Sequence, residues 1–203
     1  MKITWYGHSC FKIDSAQGSA VIDPYEPGSV PGLELPPLEA DAVFCTHAHR
    51  DHGFREGVRL TGKEPSFASR LIPTFHDDVR GRKRGKNDMV LIKAEGFTVL
   101  HMGDIGCELS AEQILDIGHA DVLLIPVGGF YTVDALQAHR IAGELKADIV
   151  IPMHYRSGSV GYDVLDTADK FIALSENVTE PGGNSLELPS GITGTVILNT
   201  ERI

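Results

Sequence analysis

A chain of 203 residues with 42% hydrophobic and 23% charged side chains has the composition of an ordinary globular domain, which excludes a disordered or low-complexity protein. Its formal net charge of −10 argues against a general binder of nucleic acid or of anionic membrane, both of which select a basic surface, and favours a small-molecule partner. Cys10, Cys45 and Cys107 are odd in number and form no CxxC pair, which excludes a disulfide framework and fits a reducing, cytoplasmic setting.

The N-terminus alternates polar and apolar residues and lacks the apolar core of a signal peptide, and no run of about 18 apolar residues exists to span a membrane. Residues 2–14 and 19–23 are expected to be strands paired around the turn "SAQG". Residues 26–37 are rich in proline and glycine and are read as loop. "DAVFCTH", residues 41–47, is a short apolar run that fits a buried strand ending at His47. Residues 89–104 read as two strands joined at Glu95-Gly96.

The second half alternates helix and strand. Ser110 and Gln113 have capping-box spacing and open a helix over 111–118. A strand follows at 121–127. The next helix, 132–146, carries Ala135, Leu136, Ala138, Ile141, Ala142 and Leu145 on its apolar side. A strand at 148–154 ends on His154, and a helix near 163–175 and a strand at 194–199 complete the chain. The order predicts an α/β fold in one domain over residues 1–203, hairpin-rich early and βαβ-like late.

Chemistry concentrates in "THAHRDH", where His47, His49, Asp51 and His52 fall within six residues. Imidazole and carboxylate are ligands of zinc and similar divalent metals. Four ligands so tightly spaced are hard to wrap round one ion and easier to share between two lying side by side. Further donors stand where apolar stretches end: His76 in "TFHDD", Asp104 in "HMGD" and His154 in "PMHY". In open α/β sheets ligands gather at the carboxyl ends of strands. A carboxylate such as Asp104 can bridge two ions about 3.5–4 Å apart.

With these residues the chain resembles the metallo-β-lactamase-fold superfamily, whose signature is HxHxDH. "MKITWYGHSCFKI", "FHDD…RGKN" and "PVGGFYTVDA" resemble more closely its branch of small metal-dependent hydrolases similar to the ascorbate-phosphate lactonase. The resemblance implies a four-layer αββα sandwich with a dinuclear site at one edge. It implies His47, His49 and His76 on the first ion, Asp51, His52 and His154 on the second, and Asp104 between them. It implies catalytic roles for Asp51 and for His8, which matches a histidine near the site. Zinc is the leading metal, with manganese, nickel or iron compatible with the same donors. The implied activity is hydrolysis of an ester, lactone, amide or phosphoester by metal-activated water. The alternatives are a di-iron redox protein and a metal-retaining binding protein without turnover. Relatives often associate, so a homo-oligomer is compatible with the sequence. "TFHDD" departs from the GHTxGH setting of lactamases and glyoxalases, and Cys107 in "GDIGC" stands where relatives often read histidine.

Two segments carry a second expectation. Arg80, Arg82, Lys83, Arg84 and Lys86 in "RGRKRGKN" are a solvated loop or a contact for an anionic substrate group. "GGFYT", residues 128–132, is turn chemistry or an anion-binding nest. His101 is expected to be packed, and His119 and His139 structural or solvent-facing.

Overall fold

The computed structural model describes residues 1–200. Apolar alternation at the N-terminus builds β1 (Lys2–Trp5), β2 (Phe11–Ser15) and β3 (Gly18–Ile22). The strand expected over 2–14 is broken at 6–10 by a tight turn, closed by the Cys10 N–H donating to the Gly7 carbonyl at 2.9 Å. Gly7 and His8 both have positive φ, +91° and +50°. Glycine reaches that region freely; histidine does so under constraint. His8 therefore stands in a turn beyond β1, not inside a strand.

Next come β4 (Leu38–Ala40), β5 (Ala42–Phe44) and β6 (Val58–Leu60), then β7 (Ala68–Phe75), β8 (Lys86–Ala94) and β9 (Phe97–His101). The expected strand at 41–47 stops at Phe44, which frees residues 45–54 to turn. β7 escaped sequence reading because its side chains are mostly exposed and it contains Pro73. It lies at the edge of its sheet, where proline is tolerated. The remaining elements are α1 (Ala111–Ile117), β10 (Val122–Pro126), α2 (Ala135–Glu144), β11 (Ile149–Met153), α3 (Asp169–Leu174), β12 (Val178–Thr179), β13 (Ser185–Glu187) and β14 (Gly194–Val196). α2 begins later than the apolar pattern implies because Asp134 caps it, in a reciprocal capping box with Gln137. α3 is likewise shorter than expected.

Two sheets face one another. One has the order β13-β1-β2-β3-β5; the other runs β12-β14-β11-β10-β9-β8-β7. Successive side chains of a strand point to opposite faces, and the central strands are buried on both. Val122 and Leu124 of β10 thus join Ile3, Phe11, Ile13 and Ile22 between the sheets. Leu123 and Ile125 turn the other way, onto Ile117 of α1, Ala138 and Ile141 of α2 and Phe171 of α3. The outer face of the smaller sheet packs Val21 and Val43 against Tyr25, Val30, Leu38 and Val58. Its cover is the 24–37 loop with the parallel pair β4–β6, so among the described residues this outer layer is loop and strand while the α-helices pack on the other side. No described helix is long and apolar enough to cross a membrane.

Strand direction decides where the donors meet. β9, β10 and β11 are parallel, and β7 and β9 both run antiparallel to β8. β1 and β3 both run antiparallel to β2, and β5 is parallel to β3. The residues just beyond β1, β3, β5, β7, β9 and β11 are drawn from the carboxyl ends of co-directional strands within each sheet. Gly128, after β10, passes so close to this edge that a Cβ there would stand 2.2 Å from the His154 carbonyl. Gly128→Ala is expected to lower unfolding free energy by about 1–3 kcal/mol through overpacking. A denaturant midpoint equal to wild type would contradict that contact.

Candidate metal centre

Residues 47–54 form a compact turn: the His52 and Gly53 N–H groups both donate to the His49 carbonyl, at 3.0 and 2.8 Å. The turn presents His47, His49, Asp51 and His52 to one space. His76 follows β7 directly, Asp104 lies just past β9, and His154 follows β11. Ligand atoms of His47, His49 and His76 lie within 4.8 Å of one another, and those of His8, Asp51, His52 and His154 form a second such group. The structure adds His8 to the second group. Asp104 stands between them: its Oδ2 is 3.2 Å from His52 Nε2, 3.2 Å from His76 Nε2, 3.1 Å from His154 Nε2 and 3.9 Å from His47 Nε2.

Each donor has its own support. The Asp104 N–H donates to Asn87 Oδ1 at 2.8 Å, while Asn87 Nδ2 donates to the Met102 carbonyl at 2.9 Å. Gly103 precedes it at φ +56°, where a Cβ would stand 2.3 Å from that same Asn87 oxygen. The His8 carbonyl accepts the Trp5 indole N–H at 3.0 Å and the His154 N–H at 3.1 Å, tying two positive-φ histidines together. His8 Nε2 meets Asp51 Oδ2 at 3.1 Å, and the Tyr162 hydroxyl lies 3.3 Å from that oxygen.

Asp23, a buried carboxylate at the end of β3, organises the opposite side. It accepts the Thr46 N–H at 2.7 Å, the Thr46 hydroxyl at 2.7 Å and His52 Nδ1 at 2.8 Å. With the Thr46 proton committed to Asp23, the 3.0 Å contact between Thr46 Oγ1 and His47 Nδ1 requires the imidazole to donate. Both rings are thereby set to carry the Nδ1 proton, and their Nε2 atoms face Asp104. Those two nitrogens and Asp104 Oδ1 are buried without a hydrogen-bond partner. In a neutral His47 ring Nε2 carries a lone pair, and a lone pair turned on a carboxylate in a dry site is repelled unless a cation lies between them. The residues present therefore fit a metal.

Burial and neighbouring charges set the protonation of these groups. Burial, reinforced by the neighbouring His52, drives His47 down to about 3, and burial with His154 drives His8 down to about 4, so both are neutral near pH 7. Burial also lowers His49, with His76 adding to it. Burial works to raise Asp104, but His154 and His52 hold it well below the ordinary carboxylate range. Asp51 is likewise lowered against burial, by its hydrogen bond with His8 and the charge of His52. His52 moves the other way: burial opposes its charge, yet Asp104 and Asp23 raise it, the response of an imidazole between two carboxylates.

The cavity over these groups has a volume of about 270 Å³ and is walled by Arg84, Tyr131 and Tyr162 in addition to His49, Asp51, His76, Asp104 and His154. Sequence reading missed Asp23, Asn87, Tyr131 and Tyr162. Asp23 carried a usable signal: in "VIDPY" an acid closes an apolar strand before proline, the pattern that marked His154. His101 is buried, donating to the Ser9 carbonyl at 2.9 Å and accepting the Gly103 N–H at 3.0 Å. His119 is exposed beside Asp148, and His139 reaches the Leu174 carbonyl, both away from this cavity. Cys107 is half-buried against Thr74 and the Phe75 carbonyl.

Comparison with known proteins shows which family the chain resembles. Residues 2–154 match the family model described as beta-lactamase superfamily domain. A UPF0173 metal-dependent hydrolase of Methanocaldococcus jannaschii is 31% identical, covering 92% of this chain and all of that one. Another from Methanosphaerula palustris is 29% identical, covering 93% of this chain and all of that one. A crystal structure of a metallo-beta-lactamase superfamily protein from Thermotoga maritima superposes with a TM-score of 0.77 at 32% identity, over 97% of each chain. Igni18, a metallo hydrolase from Ignicoccus hospitalis, shares the fold at a TM-score of 0.61 and 23% identity, over 85% of this chain and 91% of that one.

Replacing Asp23 by alanine strands two Thr46 donors and one imidazole N–H in the interior. Asp23→Ala is expected to cost about 3–5 kcal/mol of unfolding free energy, the range for breaking a buried charged pair. Chemical denaturation checks this, and a loss below about 1 kcal/mol, the worth of one ordinary hydrogen bond, would contradict it.

Proposed function

The chain belongs to the beta-lactamase superfamily, among the UPF0173 metal-dependent hydrolases, and from that membership we propose that it hydrolyses a small molecule with two divalent ions. One observation carries the reading: the Nε2 atoms of His47, His52, His76 and His154 converge on the Asp104 carboxylate in a buried site. His47, His49 and His76 would hold one ion, and Asp51, His52 and His154 the other. Asp104 would bridge. Zinc suits these nitrogen and oxygen donors best, and manganese, nickel or iron can occupy them. When bound, the ions supply polarisation of a carbonyl or phosphoryl oxygen and a water acidic enough to ionise near pH 7.

The protein's own groups do the rest. Asp51 faces the cavity as an ionised carboxylate, placed to accept a hydrogen bond from water or substrate there. His8, neutral near pH 7, donates from Nε2 to Asp51 and keeps it turned toward its partners. The Tyr162 hydroxyl, donating to the Ser29 carbonyl at 2.7 Å, lies beside the same Asp51 oxygen at 3.3 Å. Tyr131 and Tyr162 line the cavity, whose volume of about 270 Å³ suits a small molecule. The reacting bond is an ester, lactone, amide or phosphoester, and an anionic substituent on the substrate fits the cationic loop at the rim. We read residues 1–203 as one such domain, and its three unpaired cysteines as those of a cytoplasmic protein.

Metal-loaded protein is expected to turn over at least one of p-nitrophenyl acetate, dihydrocoumarin or bis-p-nitrophenyl phosphate, with loss on chelation and recovery on adding zinc or manganese. His49→Ala should lower that rate by more than about 100-fold, beyond the range for removing an outer support of a ligand. A His49→Ala protein with full metal and full activity would sink the ligand assignment. Iron retained through purification, with oxygen consumption and no hydrolysis, would replace the hydrolase with a redox protein.

A further inference from the structure

We infer that Arg84 sets substrate specificity by clasping an oxyanion, a carboxylate or phosphate, carried by the substrate away from the bond that is cleaved. This rests on the hydrolase reading for its substrate and on the loop geometry for its residue. The loop after His76 is wound round one side chain. Asp77 Oδ1 accepts the N–H groups of Val79 and Gly81, at 2.9 and 2.8 Å, and Oδ2 accepts those of Lys83 and Arg84, at 2.9 and 2.8 Å. The Gly85 N–H closes back onto the Gly81 carbonyl at 3.0 Å, and a Cβ on Gly81 would stand 2.9 Å from the Gly85 carbonyl oxygen. A loop tied at so many points presents its side chains in fixed directions.

Four of its five cations face water. Arg80, Arg82, Lys83 and Lys86 are exposed. Lys83 pairs with Asp78 at 3.0 Å and Arg82 turns back to the Val79 carbonyl at 3.2 Å. Arg84 alone of the five is half-buried and lines the metal cavity. Among the described residues its contacts there are not anions: Nη2 donates to the Phe130 carbonyl at 3.1 Å, and the guanidinium lies 5.5 Å from the centre of the Tyr131 ring. The carbonyl and the ring orient the fork and leave most of its five N–H donors free. The cavity's two carboxylates, Asp51 and Asp104, are engaged with histidines. A guanidinium held beside a small cavity with donors to spare is matched to a bidentate oxyanion. In a chain of net charge −10 it also supplies local attraction that the surface as a whole denies an anion. The substrate class is then a small ester, lactone or phosphoester bearing a separate carboxylate or phosphate.

Binding tests this without turnover. Metal-loaded protein is titrated calorimetrically with succinate, glutarate and adipate, and with monocarboxylates of equal chain length. Both series can reach the metals; only the diacids can also reach Arg84. The best diacid should bind about 10- to 100-fold tighter than its monoacid, as expected for a charged hydrogen-bonded pair. Arg84→Gln should reduce that ratio to near one, and Arg84→Lys should retain part of it. Metal content equal to wild type shows that each variant is folded. Exchanging the distal carboxylate for a phosphonate shows which oxyanion the fork prefers. No preference at any chain length in wild type, or a preference intact in Arg84→Gln, would overturn the assignment. If the diacid preference holds while no ester, lactone or phosphodiester is turned over, the hydrolase reading fails and Arg84 remains an oxyanion site.

Discussion

The Asp23 carboxylate, buried at the end of β3, governs the orientation of the metal-site histidines His47 and His52. By accepting hydrogen bonds from the Thr46 N–H, the Thr46 hydroxyl and His52 Nδ1 it turns His52 Nε2 toward Asp104, and through the Thr46 hydroxyl it decides which nitrogen of His47 is left bare. Neither choice is made by the imidazoles themselves, since the hydrogen bond made at one ring nitrogen sets the role of the other. Burial gives the choice its force. In a dry interior a misplaced proton cannot be compensated by solvent, so three hydrogen bonds to one carboxylate determine a donor pattern several ångströms away. Asp104 completes the arrangement from the other sheet, with Asn87 holding its backbone.

The architecture supplies position where Asp23 supplies proton state. Donors from distant parts of the sequence meet because co-directional strands end near one another and the chain turns sharply after each end. Those turns are sterically demanding. His8 and His154 adopt left-handed backbone, and Gly103 and Gly128 pass where a side chain would collide with the site's supports. Conformations of this kind persist only where surrounding contacts enforce them. The shared His8 carbonyl, accepting from both Trp5 and His154, is one such enforcement. The core between the sheets thus serves the site as directly as the site's own residues do.

The features legible in the sequence were those with a short-range pattern. HxHxDH is local, the capping box at Ser110 is local, and the buried strands β10 and β11 announce themselves as apolar runs. β7 was not legible, since an edge strand with exposed side chains has no hydrophobic signature, although His76 at its end was singled out as a donor. The break after β1 was also hidden, because "YGHSC" reads as a continuation of alternation unless the glycine is given weight. Asn87 and Tyr162 act through contacts 17 and 111 residues away in the chain, which no window on the sequence encloses. Arg84 stood in view among five cations, and only the winding of the loop about Asp77 distinguishes it from its neighbours.

The proposed pair of cations on either side of Asp104 can be located in crystals grown with zinc and measured at the zinc absorption edge. Two anomalous peaks about 3.5–4 Å apart are expected, the spacing of a bridged pair, one beside His47, His49 and His76 and the other beside Asp51, His52 and His154. A single peak, or none in protein exposed to excess zinc, would rule the pair out.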